Sequence, residues 1–315
     1  TALGSLALNS NTTASNNTAV GYQAGYSNQT GTDIVAIGYK ALYANTNGGN
    51  TAVGINASVT NTTGFYNSSF GASSLYFNTT GAYNVALGHS ALLNNTTASN
   101  NTAVGYQSLY ANTVERQTAV GAYSLRYNTT GAYNTAIGDS ALFSNTTGPY
   151  NVSLGFYSLL NNTTGGSNVA LGYQALKDNT TAHDNTAVGK NALMSNNTGT
   201  VNVAVGQNAL YTNTTGVANT AIGRQALKLN TTANFNVAVG AESLSSNTTG
   251  ANSTAVGYDA GYSNTTGAAL TAIGHNALRS STTASNNVAV GQDSLYNLTT
   301  GTGNVVLGTA ASRGM

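Results

Sequence analysis

The sequence predicts an all-β protein: a parallel β-solenoid, or β-roll, with one coil per repeat of about seventeen residues. Three observations carry that expectation. One phrase recurs along the whole chain, as in "NTAVGYQSL" from residue 101 and "NVAVGQNAL" from residue 202. Its spacing is almost constant, and each copy is too short to bury an apolar face alone. Such a unit must stack on copies of itself, which is how a solenoid is built.

Nineteen glycines anchor the phrase, from Gly4, Gly21 and Gly38 to Gly291 and Gly308. Successive anchors stand seventeen residues apart, except for steps of sixteen from Gly38 to Gly54 and from Gly105 to Gly121. Before each anchor comes Val, Ile or Leu, with Phe70 the one departure; three residues after it comes Ala or Ser, usually followed by Leu. Helical repeats are longer, and glycine among β-branched residues weakens a helix, so each unit reads as two short strands joined by turns.

The turn N-T-T-G follows from the tolerance of Asn and Gly for left-handed backbone, and from side-chain bonds of Asn and Thr to nearby main chain. Stacked coil upon coil, the asparagines can bond up and down as an amide ladder. Pro149, the one proline, falls in a turn, where a missing donor costs least. With rungs about 4.8 Å apart, residues 1–315 are expected to form a single continuous array of about nineteen repeats, on the order of 90 Å long. Thr1 already stands inside a repeat, so the array reads as a fragment of a longer fibre.

Alternation along a strand sends Val203 and Val205 to one side and Ala204 and Gly206 to the other. With the branched side taken as the core, the alanine side is expected to be covered as well, because nothing in water demands Ala and Gly. Close packing against further chains is the expected cover. The competing reading is that Ala and Gly fill a narrow single-chain coil.

Charged residues make up 5% of the chain, against about 25% in ordinary soluble proteins, and the net charge is +1. No basic footprint exists for nucleic acid or an anionic membrane. A strict apolar rhythm with a single proline argues against disorder. Without cysteine there is no disulfide, thiolate nucleophile or zinc site of the Cys type. No apolar run approaches the roughly eighteen residues of a membrane span, so membrane insertion of this segment is not expected.

The phrases "VALG-x-x-A" of Val85 to Ala91 and "VSLG-x-x-S" of Val152 to Ser158 resemble the head repeats of trimeric autotransporter adhesins of the YadA type. Arrays similar to "NTAVGY-x-AL…NTTG" occur in phage tail-fibre-like repeat proteins. The resemblance covers essentially the whole chain, although the unit here is longer than the adhesin head repeat. It implies a left-handed homotrimeric fibre, extracellular, on a cell or virion surface. It also implies self-association into a homotrimer with end-to-end assembly, and a host-surface protein or glycan as partner.

Tyr22, Tyr39, Tyr106, Tyr173 and Tyr258 directly follow anchoring glycines and are candidate surface-contact aromatics. They are placed either to stack on sugars and receptors or to cover neighbouring coils. Asn61, Asn78, Asn128, Asn145, Asn179, Asn213, Asn230, Asn247 and Asn264 each begin an N-x-[ST] sequon and are candidate N-glycosylation sites, although the ladder accounts for the same residues. His89, His183 and His275 lie far apart, and the acids show no paired spacing for acid–base work, so no catalytic residue, metal or cofactor is expected. The function expected is that of a non-enzymatic fibre or adhesin segment presenting a repetitive surface for attachment. An ice-binding, antifreeze-like β-solenoid is the alternative, weakened because adjacent threonines of an extended "NTT" would face opposite sides.

Overall fold

Each repeat forms one strand, made of the residues just before its anchoring glycine, such as Thr102–Val104 and Val203–Val205. The computed structural model describes residues 1–312, and beyond the strands those residues are turn and bend with no helix among them. The second strand expected in each unit is not formed. The backbone gives the reason. Two and four residues after each anchor φ is positive, as at Gln107 (52°) and Leu109 (49°), and such alternation folds the segment too tightly for extended chain. Main-chain bonds between coils continue there nonetheless: the Gln107 N–H donates to His89 O of the preceding coil and the Leu109 N–H to Ser124 O of the next, both at 3.0 Å.

The coils form two units, Thr1–Leu154 and Gly155–Met315. In the first, ten parallel strands run from β1 (Ala2–Leu3) to β10 (Val152–Leu154). Their register never slips: Ala36 pairs with Ala52 and Ala103 with Ala119 even across the sixteen-residue steps, so the missing residue is absorbed in a turn. The second unit holds nine, from β11 (Val169–Leu171) to β19 (Val305–Leu307), with Ala187 opposite Ala204 and Ala204 opposite Ala221. Both units are parallel β-solenoids with coils of about seventeen residues.

The strand's two sides are the reverse of the expectation. The alanines face inward and are fully buried, Ala103, Ala136, Ala204 and Ala238 among them, whereas the flanking Thr, Val, Ile and Leu face outward. The competing reading, in which small residues fill a narrow coil, is the one observed. Inside each coil the alanine meets the Ala or Ser and the Leu that follow the anchor, such as Ser108 and Leu109, both fully buried. Leu reaches across the coil and leaves room for only a methyl group opposite; a branched residue there would overpack it. This packing also holds Leu at a φ that a bulky residue seldom adopts.

Three departures from the pattern come in matched pairs. Gly25 replaces the core Leu of its coil, and Ile34 replaces the closing Asn; the Ile34 Cδ1 lies 3.4 Å from where a Gly25 Cβ would stand. Gly261 and the buried Leu270 repeat the exchange in the second unit. Ser58 replaces Leu and Ser69 replaces Ala, and their hydroxyls bond each other at 2.8 Å. The anchoring glycines are required by close approach: at Gly105, where φ is 130°, a Cβ would lie 2.4 Å from Gly121 O of the next coil.

Two columns of asparagine line the interior. In the first, Asn78 Nδ2 donates to Asn61 Oδ1 (2.7 Å) and Asn95 Nδ2 to Asn78 Oδ1 (2.9 Å), while the other N–H of Asn78 closes its own turn on Gly81 O (2.9 Å). The same ladder runs in the second unit, Asn213 to Asn196 (2.8 Å) and Asn230 to Asn213 (2.9 Å). In the second column the side chain bonds the next coil's main chain: Asn67 Oδ1 accepts from Asn84 N (2.9 Å) and Asn67 Nδ2 donates to Gly81 O (2.8 Å). Most buried amides are thereby bonded inside a core that holds few large apolar groups; the ladder breaks at the short turn after Asn112, whose amide bonds Val114 O and leaves Asn95 Oδ1 without a donor.

Candidate functional site

Because the interior is closed by small side chains and amides, every group that meets a partner lies on the outer surface of the coils. Three sets of residues lie there: the outward side of the strands, the aromatic columns and the turn residues.

The outward strand side is apolar in coil after coil. In the first unit it includes Val85, Leu87, Ile137 and Leu154, exposed by 38% to 49%, and in the second Ile222, Val237, Val256 and Ile273, exposed by 37% to 41%. The first strand position is a mixture of threonine and valine with one serine, as in Thr18, Val35, Thr51, Ser68 and Val85, with Thr102, Thr118 and Thr135 in succession. With three residues per strand and ten rungs, the strip in the first unit measures on the order of 450 Å². Within that strip the third-position column, from Val20 to Leu154, is apolar in every coil, and contiguous exposed apolar surface is often functional. Sequence reasoning placed these residues in the core, on the rule that branched residues are buried; the narrowness of a seventeen-residue coil was the signal against it.

Tyr22, Tyr39, Tyr106, Tyr173 and Tyr258 all project outward, each more than two-fifths exposed. They pack on one another across rungs as well. Tyr22 stacks on Tyr39 (centroids 5.5 Å apart), His89 on Tyr106 (5.6 Å), Phe156 on Tyr173 (5.7 Å) and Tyr258 on His275 (5.6 Å). Both uses foreseen for them, coil cover and exposed contact, are thus geometrically open. Cations seat themselves on these rings: Lys40 Nζ lies 5.4 Å from the Tyr39 ring and 5.5 Å from that of Tyr43, and the Arg126 guanidinium lies 4.8 Å from Tyr127 and 5.4 Å from Tyr123. Arg279 pairs with Asp259 at 3.1 Å, and that hydrogen bond raises the guanidinium pKa above its ordinary value.

The nine sequon asparagines lie in the first ladder and are fully buried, with Nδ2 donating to neighbours. A glycan needs that nitrogen and a path to solvent, so modification at these positions is incompatible with the packed coil. The first threonine of many turns is also engaged, as Thr62 Oγ1 donating to Thr79 O (2.9 Å) and Thr214 Oγ1 to Thr231 O (3.1 Å). His89, His183 and His275 are exposed, and His183 Nδ1 lies 2.7 Å from Asp184 Oδ2. Among the described residues no three His, Cys, Asp or Glu side chains gather as a metal site would require. No helix there is long and apolar enough to cross a membrane. No protein-family model matches this chain, and no curated protein matches it, so the surface geometry carries the functional reading.

Proposed function

We propose that this chain is a non-enzymatic structural segment of an extracellular fibre or adhesin, homotrimeric, on a virion or cell surface. In that reading the repeat sets length and stiffness while variable outward residues set what is touched. One observation supports it: within each unit, the last residue of every strand is an outward Val, Ile, Leu or Phe, in a protein with 5% charged residues. A strip that is flat, uncharged and repeated every rung fits another copy of itself, since identical rungs match at every step. The copies are then held by burial of branched side chains, at about 25 cal/mol per Å² of apolar surface. Left-handedness and end-to-end assembly belong to the same proposal and rest on the resemblance to adhesin heads and tail fibres.

Light scattering of the full chain tests it. The expected mass is three times that of one chain, and Leu87→Asp with Ile137→Asp, both outward, lowers it to one with the β circular dichroism unchanged. A stable single chain before substitution removes the trimer.

A further inference from the structure

The two sixteen-residue coils do more than shorten the chain. Between the paired asparagines most turns place five residues, but Asn45 to Asn50 and Asn112 to Gln117 enclose only four. In a full turn the amide of the first asparagine closes on the carbonyl three residues on, as Asn61 to Gly64 (2.9 Å). In the short turns it closes two residues on, Asn45 to Asn47 and Asn112 to Val114, both at 2.6 Å. The corner is cut, and the full turns on either side stand higher. Each short turn thus becomes the floor of a recess, of about 420 Å³ at the first and about 450 Å³ at the second. Both volumes fall within the roughly 300–1,000 Å³ of small-ligand sites.

The two recesses, four coils apart in the first unit, are built alike. One wall of the first carries Asp33, the floor Asn47 to Gly49, and the other wall Phe65 and Tyr66. The second sets Glu115 in its floor and Tyr133 in its far wall. Tyr66 and Tyr133 occupy the same place in the repeat, the left-handed residue before the closing asparagine, with φ of 52° and 60°. Each ring is backed by the next rung, Tyr66 by Tyr83 (5.7 Å) and Tyr133 by Tyr150 (5.3 Å, 5° between planes). Tyr66 is 61% exposed. Each recess therefore offers one aromatic ring, one carboxylate and a rim of hydroxyl and main-chain groups; no cation lines the first, whereas Arg116 donates to the Tyr133 hydroxyl (3.3 Å) beside the second.

We propose that these recesses bind a neutral pyranose unit of a surface glycan. A pyranose has an apolar C–H face that stacks on an aromatic ring and a hydroxyl edge that donates to a carboxylate and to carbonyl oxygens. Anionic sugars are disfavoured by the lone carboxylate. The inference rests on the attachment reading above and names its ligand class. The sites are unequal. Over Tyr133 lies the Arg116 guanidinium, 5.9 Å from the ring centroid, whereas the corresponding place beneath Tyr66 is Gly49, where a Cβ would come within 2.4 Å of the ring. The first recess is the open one and binds more tightly.

The test applies the labelled full chain to an array of immobilised neutral hexose and N-acetylhexosamine oligosaccharides, then titrates the best binder. Two independent changes close the first site: Tyr66→Ala, and one threonine inserted between Thr46 and Asn47 to restore a full turn. Each is expected to weaken binding about tenfold or more. Phe235→Ala, which removes an equally exposed ring at the same place of a full turn, leaves binding unchanged, and Arg116→Gly strengthens the second site. Full binding by both closed variants overturns the proposal. So does binding to no array saccharide, or preference for sulfated sugars or a quaternary ammonium probe. A trimer that adheres to cells yet binds no saccharide leaves the attachment reading standing without the recesses; a monomer that adheres to nothing yet binds saccharide does the reverse.

Discussion

Asn78 is the sharpest place to break the coil from inside. It is fully buried, donating from Nδ2 to Asn61 Oδ1 (2.7 Å) and Gly81 O (2.9 Å) and accepting from Asn95 Nδ2 (2.9 Å). In Asn78→Ala two partners keep other bonds: Gly81 O still receives Asn67 Nδ2 (2.8 Å), and Asn95 Nδ2 still reaches Ala98 O (2.9 Å). Asn61 Oδ1 loses its donor, and one N–H of Asn95 is left unpaired. At about 1–3 kcal/mol for each buried orphan, the substitution costs about 2–6 kcal/mol. Thr79→Ala, which removes one bond to Thr96 O (3.0 Å) near the surface, costs only about 0.5–1.5 kcal/mol.

Asn78→Asp is worse at neutral pH, because a carboxylate faces two acceptors in a fully buried site. Burial and those acceptors raise the introduced carboxyl above its unfolded value of about 3.9. Its protonated form donates as the amide did, so stability is fullest below about pH 4 and is lost as pH rises through the raised value. Native-state hydrogen exchange of the coils around residue 78 reads both effects. A loss of about 3 kcal/mol lowers protection by roughly two orders of magnitude. Protection within threefold of the parent for Asn78→Ala, or Asn78→Asp more protected at pH 7 than at pH 4, would refute the ladder as a source of stability.

Gly105→Ala combines a φ of 130° with a Cβ 2.4 Å from Gly121 O and is expected to cost about 2–6 kcal/mol by guanidinium titration. Gly303→Ala, at φ 73° with nothing within 4 Å of its added Cβ, costs only about 1 kcal/mol. A double-mutant cycle of Ser58→Leu and Ser69→Ala should show favourable coupling of about 0.5–3 kcal/mol, since the pair together restores the common pattern. Thermal hysteresis should be absent: the exposed second threonines of the turns, such as Thr63, Thr80 and Thr130, form a column only one residue wide, and the strand threonines are interrupted by valine, so neither makes a two-dimensional hydroxyl lattice for ice.

The rung and its closing turn were legible because glycine and asparagine there answer to close approach and to amide stacking, both of which identical repeats announce. The outward position of Tyr22 and its counterparts was legible too, as a variable place directly after the anchor. The sidedness of the strand was not. Ala103 between Thr102 and Val104 looks like the surface of an ordinary sheet, and only the width left by Leu109 inside the coil makes the methyl group the inner one. Nor did local preference disclose the missing second strand, since a leucine at positive φ is sustained by burial alone. The two sixteen-residue steps were legible as spacing; that each opens a recess depends on the height of the turns above and below, which spacing does not convey.

The central claim, one repeat to one rung, is tested most directly by spin-label distances in the first unit. The chain has no cysteine, so labels can be introduced singly at Ile55 and at Ala72, His89, Tyr106 or Ala122, the residues after successive anchors. With labelled chains diluted in unlabelled ones, the separation from residue 55 should grow by about 4.8 Å per coil, reaching about 19 Å at residue 122. A separation that levels off or falls as repeats are added would contradict a stack of single-repeat rungs.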